Sequence, residues 1–365
     1  MKNLLWLLIP WLILLAGCQS SSTPTSTPIP TSTSSVTATL TVASAPPRDL
    51  SSLPPISVEN AGQVKKLEIL LGHSEPVMSI VFSPSGDMLA SSSLDGTIRL
   101  WQLPTLTEIA VLKHGPNASG LAFSPDGSLL TSGGTDGNVR LWDVETGSER
   151  LMLGSHSANS IFGVWGVSFS PDGKMVASAS VDDSVRIWDI DGSGEMAVLK
   201  GHTSDVFGVT FSPDGERLAS CGKDFSVRLW DTKNWTQTVV LEGHDAEVTG
   251  VAFSPDGSLL ASAGGGTVEK YTVRLWDIAQ GTQLAVLQGH TDAVRGVVFS
   301  PDGRVLASKS EDGTLRLWDV SSKAELAVIE APEGLAVGLD LSPDGQLLAS
   351  GGADGSVWLW GVEQP

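Results

Sequence analysis

Cysteine is close to absent from this chain: its 365 residues hold two, Cys18 and Cys221. No structural disulfide is available from that pair, and Cys221, inside an apolar strand-like run, reads as a small core residue. Positive charge is also scarce. Twenty-two Lys and Arg stand against 41 Asp and Glu, for a formal net charge of −19. Nucleic-acid phosphates demand a basic surface, so a nucleic-acid partner is excluded, and the acidity reads as a solvated surface. There is one tyrosine, Tyr271, and there are six histidines. No phosphate loop, kinase signature, haem attachment motif or zinc-ligand spacing occurs; Gly264 to Gly266 lack the Lys-Ser/Thr that a phosphate loop carries next. No cofactor and no metal are expected. The apolar run Leu4 to Ala16 is thirteen residues long and contains Pro10, too short to cross a membrane as a helix.

What the chain has is repetition. Ser-Pro-Asp-Gly, or a one-letter variant, occurs seven times, with prolines at 84, 125, 171, 213, 255, 301 and 343, in steps of 41, 46, 42, 42, 46 and 42 residues. A fixed period in that range marks a repeat architecture. In residues 202 to 231, His202 is followed by the run Val206 to Phe211, the turn Ser212-Pro213-Asp214-Gly215, then Arg217 to Gly222, Lys223-Asp224 and Val227 to Asp231. Pro presets φ and Gly accepts positive φ, so the tetrapeptide suits a tight turn between strands. With a further run such as Gln237 to Leu241, each unit predicts four short strands and one antiparallel sheet.

The Gly-His pairs (Gly72-His73, Gly201-His202, Gly243-His244, Gly289-His290) and Trp-Asp pairs (Trp142-Asp143, Trp188-Asp189, Trp230-Asp231, Trp276-Asp277, Trp318-Asp319) resemble WD40 repeats over about residues 64 to 362. The resemblance implies an all-β, seven-bladed β-propeller of four-stranded blades around a central channel. The seventh unit ends just after Trp360 with no fourth strand, while the surplus run Lys66 to Leu71 precedes the first Gly-His. This N-terminal strand is therefore expected to complete the last blade and close the ring.

A His, a Ser and an Asp per unit invite a hydrolase reading. In the WD40 pattern the same residues join the Trp in a structural tetrad. The matching positions are His73, Ser91, Asp95 and Trp101; His156, Ser178, Asp182 and Trp188; His202, Ser220, Asp224 and Trp230; and His290, Ser308, Asp312 and Trp318. Catalysis needs one such set in a cleft, not four around a ring. All six histidines lie at or one place from the repeat position, which leaves none for a general base or a metal. Three units depart from the pattern: the second reads His114-Gly115, the fifth has Gly264 to Gly266 in place of the turn Asp, and the seventh has Pro332 in place of the His.

At the front, Lys2, the apolar run and Leu15-Ala16-Gly17-Cys18 resemble a bacterial lipoprotein signal. The resemblance implies removal of residues 1–17 and a diacylglyceryl group on Cys18; an ordinary signal peptide with an accidental cysteine is the alternative. Residues 18–60 are rich in Ser, Thr and Pro and read as a flexible tether of about 35 Å reach, leaving 61–365 as the propeller. The expected place is the outer side of a bacterial envelope membrane, held through the lipid alone, with a monomeric propeller.

Function is sought where the copies differ. The two 46-residue steps locate insertions between His156 and Phe169 and between Ser262 and Trp276, the second carrying Tyr271. Aligning the first strands collects Met78, Trp165, Phe207, Thr249 and Arg295, and the places before the turn Asp add Lys223 and Glu311. By the resemblance these share one face with both insertions, the face WD40 proteins commonly use for partners. Either this set, with Tyr271, binds an unidentified protein or peptide, or its members line the channel and pack locally. The expectation is a non-enzymatic interaction scaffold. A small-molecule or glycan receptor using Trp165 and Tyr271 at the channel mouth is the alternative, and an envelope hydrolase comes last.

Overall fold

The structure, a computed structural model, describes residues 50, 52–156, 163–265, 271–332, 334 and 337–363. Residues 47–365 belong to one compact unit. Cys18, the expected signal sequence and the tether up to residue 49 lie outside the described residues, as do residues 157–162 and 266–270 of the two insertions.

The β-branched and aromatic runs form the strands expected of them. They build seven four-stranded antiparallel sheets, and the chain is a seven-bladed β-propeller. Blade four runs Val206–Phe211, Arg217–Gly222, Val227–Asp231 and Thr236–Leu241 from the inner edge outwards. Each sheet packs against a blade on either side, so the cores lie between blades. Ala177, Val185 and Ile187 of blade three meet Val206, Phe211, Leu218 and Trp230 of blade four. Burying each such Val, Leu, Ile or Phe side chain contributes about 1.5–3 kcal/mol.

The recurrent tetrapeptide turns each first hairpin. Ser212 Oγ donates to Asp214 Oδ1 at 2.6 Å and accepts the Arg217 N–H at 2.9 Å, while the Gly215 N–H donates to the Ser212 carbonyl at 2.8 Å. Gly215 has φ 71°, a region that favours glycine. The turn also joins blades. A Cβ on Gly215 would lie 3.6 Å from Pro171 Cδ of the preceding blade, and one on Gly86 would lie 3.6 Å from Pro343 Cδ across the seam.

The ring closes as the spare strand predicts. Lys65–Leu70 pairs antiparallel with Val357–Gly361, from Lys65 opposite Gly361 to Leu70 opposite Val357, and so completes the last blade. At the inner edge Asp340 Oδ2 accepts the Phe82 N–H at 2.8 Å, binding blade seven to blade one. Burial pushes that carboxyl up to about 7, against two N–H donors. Composition places the start of the propeller at residue 61, but among the described residues Leu50, Leu53 and Ile56 already pack into it. Leu50 and Leu53 are buried with Leu103 and Leu347, and the Ile56 N–H donates to the Gly345 carbonyl at 2.8 Å. These isolated apolar residues cover the turn ends of blades seven and one.

Two faces result. The Ser-Pro-Asp-Gly turns lie at one end of the blades, the turn face. At the other end, the loop face, the first strands begin beside the turns that join second and third strands. One backbone bond recurs there: Leu94 N to Pro76 O at 3.1 Å, Lys223 N to Asp205 O at 2.8 Å and Glu311 N to Ala293 O at 2.9 Å.

Candidate functional site

The four expected tetrads form. In blade four His202 Nδ1 lies 3.0 Å from Asp224, His202 Nε2 lies 2.7 Å from Ser220 Oγ, and Trp230 Nε1 donates to the same oxygen at 2.9 Å. Nδ1–H donating to the carboxylate leaves Nε2 to accept the serine O–H, a tautomer assigned from the network. His73 reaches Asp95 at 3.0 Å and Ser91 at 2.9 Å, with Trp101 donating to Ser91 at 3.0 Å. His156 reaches Asp182 at 3.0 Å and Ser178 at 2.7 Å, with Trp188 at 2.7 Å. His290 reaches Asp312 at 2.9 Å and Ser308 at 2.8 Å, with Trp318 at 2.9 Å. The connectivity is that of a Ser–His–Asp triad, yet Ser91, Ser178, Ser220 and Ser308 are all 0% exposed. No electrophile reaches those oxygens, and each already accepts an indole N–H, so the sets act as buried networks.

The departing units keep the part their residues allow. Trp142 donates to Ser132 at 2.7 Å, but His114 Nε2 stands 3.4 Å from Arg140 Nη1 instead of bonding that serine. In blade five His244 Nε2 lies 2.6 Å from Ser262 Oγ, to which Trp276 donates at 2.8 Å. In blade seven Trp360 donates to Ser350 at 2.9 Å. Burial first, then a nearby arginine, lowers His114 to about 4 and His244 to about 3. The repeated arginine is structural: Arg228 bridges Gln237 at 2.6 Å and Asp224 at 3.4 Å, and Arg99, Arg186 and Arg316 pair with Glu108, Glu195 and Glu325. Trp358 takes its place in the seventh blade.

On the loop face, the aligned set has a common backbone cause. The ladder between first and second strands skips a residue in each of these blades, with shifts at Val77/Ser79, Val164/Gly166, Val206/Gly208, Val248/Gly250 and Val294/Gly296. Met78, Trp165, Phe207, Thr249 and Arg295 are the skipped residues. A bulge frees a side chain from the pleat and re-aims it. The outcomes differ by blade. Met78 is buried, 4% exposed, and so is withdrawn from the face. Trp165 and Phe207 meet edge to face with ring centroids 6.1 Å apart. Thr249 Oγ1 donates to the Val294 carbonyl at 2.7 Å, Arg295 pairs with Glu311 at 2.7 Å, and Lys223 lies 3.4 Å from Asp205. Tyr271 packs half-buried beside the core between blades five and six. No described contact joins it to Trp165. The structure thus joins Trp165 to Phe207, Lys223 to Asp205, and, on another blade, Arg295 to Glu311.

Alignment of the first strands missed Phe225 and Asp183. Both occupy the position after the turn Asp, where Gly96, Gly137, Gly313 and Gly355 stand with φ of 78° to 82°. Phe225 has φ 67° and Asp183 φ 63°. Their signal was in the sequence as two broken Asp-Gly pairs. Phe225 is 45% exposed. The Asp183 carboxyl is raised by desolvation and by Asp205, Asp182 and Asp224 around it. Trp165 Nε1 is shielded and has no acceptor among the described residues.

Comparison with known proteins gives short local matches. The chain is 67% identical over 33 residues to Transcription initiation factor TFIID subunit 5 of Arabidopsis thaliana, 9% of this chain and 5% of that protein. It is 44% identical over 57 residues to WD repeat and HMG-box DNA-binding protein 1 of Xenopus laevis, 16% of this chain and 5% of that one. It is 49% identical over 43 residues to Serine-threonine kinase receptor-associated protein of Homo sapiens, 12% of each. The matched stretches thus span at most 12% of these three proteins. The family model "WD domain, G-beta repeat" matches residues 64–102, 107–143, 148–189, 194–231, 235–277, 281–319 and 325–361. With one repeat matched to each closed blade, the chain belongs to the WD40 repeat family.

Proposed function

We propose that this chain is a non-enzymatic platform for a protein or peptide partner, held to the outer side of a bacterial membrane by a lipid on Cys18 and binding through its loop face. The observation that carries the reading is the uneven set of side chains at the skipped positions, with Trp165, Phe207 and Arg295 partly exposed on a rigid ring. The buried serines of the four tetrads give a hydrolase no usable nucleophile at those positions. Fold alone does not name a partner.

Photo-crosslinking on intact cells tests this, with a crosslinking side chain at Lys223 on the loop face and at Asp256 on the turn face. The expected result is a discrete adduct from position 223 that disappears when Trp165, Phe207 and Arg295 are all changed to Ala. Equal adducts from both positions, or none from 223, overturn the reading.

A further inference from the structure

Within the loop face, one sector departs from the local rules more than the rest. Phe225 holds a left-handed backbone that bulky L side chains rarely adopt. Two other apolar residues share that conformation, Leu106 and Trp235, but both pack against core clusters. Phe225 joins no cluster and is 45% exposed, so burial offers no compensation for it. Its turn is bound to the start of the first strand of blade four through Lys223 N to Asp205 O at 2.8 Å, and Phe207 follows two residues after Asp205. The edge-to-face Trp165 ring belongs to the adjoining blade three, whose turn carries Asp183.

The charges there are unequal. Asp182 and Asp224 are met by their histidines and by Arg186 and Arg228, and Asp205 by Lys223. Asp183 is exposed and makes no ion pair among the described residues. Desolvation first, and then the neighbouring Asp205, Asp182 and Asp224, raise its carboxyl, and Asp183 is the exposed acid of this group that lacks a cation of its own. Places where a folded chain breaks local rules without a folding gain are where function is expected.

Resting on the interaction-platform reading, we propose that Trp165, Phe207, Phe225 and Asp183 form a docking surface for a peptide segment that presents a lysine or arginine beside an apolar residue. The aromatic faces take the aliphatic stem and the cation, and Asp183 takes the charged head. An acidic peptide is repelled by the Asp183 carboxylate.

The test is selection from a displayed library of random linear peptides on the full-length chain, run in parallel on Phe225→Gly and Asp183→Asn. Phe225→Gly installs the residue that four other blades already carry, so it is expected to melt at or above the wild-type temperature. The expected result is enrichment of sequences pairing Lys or Arg with an apolar neighbour, weakened at least about tenfold on either variant, as loss of a hot-spot contact implies. Enrichment unchanged on Phe225→Gly, enrichment of acidic sequences, or no enrichment at all overturns the proposal. Should the selected peptides keep binding Phe225→Gly yet fail on the Trp165, Phe207 and Arg295 triple-alanine variant, the loop-face reading survives and this sector is excluded.

Discussion

In blade four a carboxylate stands beside the buried imidazole; in blade five it does not. Against the desolvation of its own burial, His202 and the Ser226 hydroxyl hold the Asp224 carboxyl at about 2, and that carboxylate opposes the burial that lowers His202. His244 is lowered by burial and then by Arg274, with no turn Asp to oppose them, and falls to about 3. Its folded pKa lies below the ordinary histidine value of about 6.5, so it contributes stability that is present above that value and lost as pH falls towards 3. Between pH 7 and pH 5, His244 should cost the wild type about 2 kcal/mol that His244→Gln does not lose, read by urea unfolding at the two pH values. Asp340 acts in the opposite sense, since its folded pKa is raised and its contribution is lost as pH rises through about 7. The difference between variant and wild type is therefore the readout, and equal losses in both would refute the assignment. The residues of all four tetrads were legible in the sequence because spacing repeats. Which serines are sealed from solvent was not, because burial is conferred by the neighbouring blade.

At the scale of the element, the closing strand carries its own address. In blade one Glu108 sits opposite Trp101 and pairs with Arg99; in blade seven Lys66 sits opposite Trp360, and Trp358 replaces the arginine. Lys66 Nζ lies 4.8 Å over the Trp358 ring, which stacks on Trp360 with centroids 5.5 Å apart. Against any other blade, Lys66 would meet arginine. Trp358→Arg should thus destabilise by about 1–3 kcal/mol, and adding Lys66→Glu should recover about 0.5–1 kcal/mol of it in a denaturant double-mutant cycle. A Lys66→Glu change that deepens the loss counts against the pairing. The strand itself was readable as the surplus run Lys66 to Leu71 before the first Gly-His pair. Its cation–aromatic pairing needed the register, which brings together residues from opposite ends of the chain. Phe225 shows the reverse case: the broken Asp-Gly pair was visible, but only φ and exposure show its backbone strained and its ring uncovered.

For the whole molecule, closure couples the two chain ends. Leu67 and Leu70 are buried in the seam between blades seven and one, alongside Leu89, Trp101 and Leu359. Deleting Lys65–Leu70 removes about 3–6 kcal/mol of side-chain burial, strips the edge of Val357–Gly361, and should replace a single cooperative melt with a broad one and self-association on gel filtration. A deletion variant that stays monomeric with the wild-type melt would show that the seam is dispensable. The sequence alone determined the number of repeats, the four strands in each and the spare strand that closes the ring. It could do so because each unit repeats the same local code of turn residues and strand runs, and a period survives in one dimension. Tertiary structure alone decided that Leu50, Leu53 and Ile56 are buried with the blades, and that Met78 is withdrawn while Phe225 stands exposed. Each of those depends on what a neighbouring blade covers, and residues brought together from distant parts of the chain leave no local pattern to read.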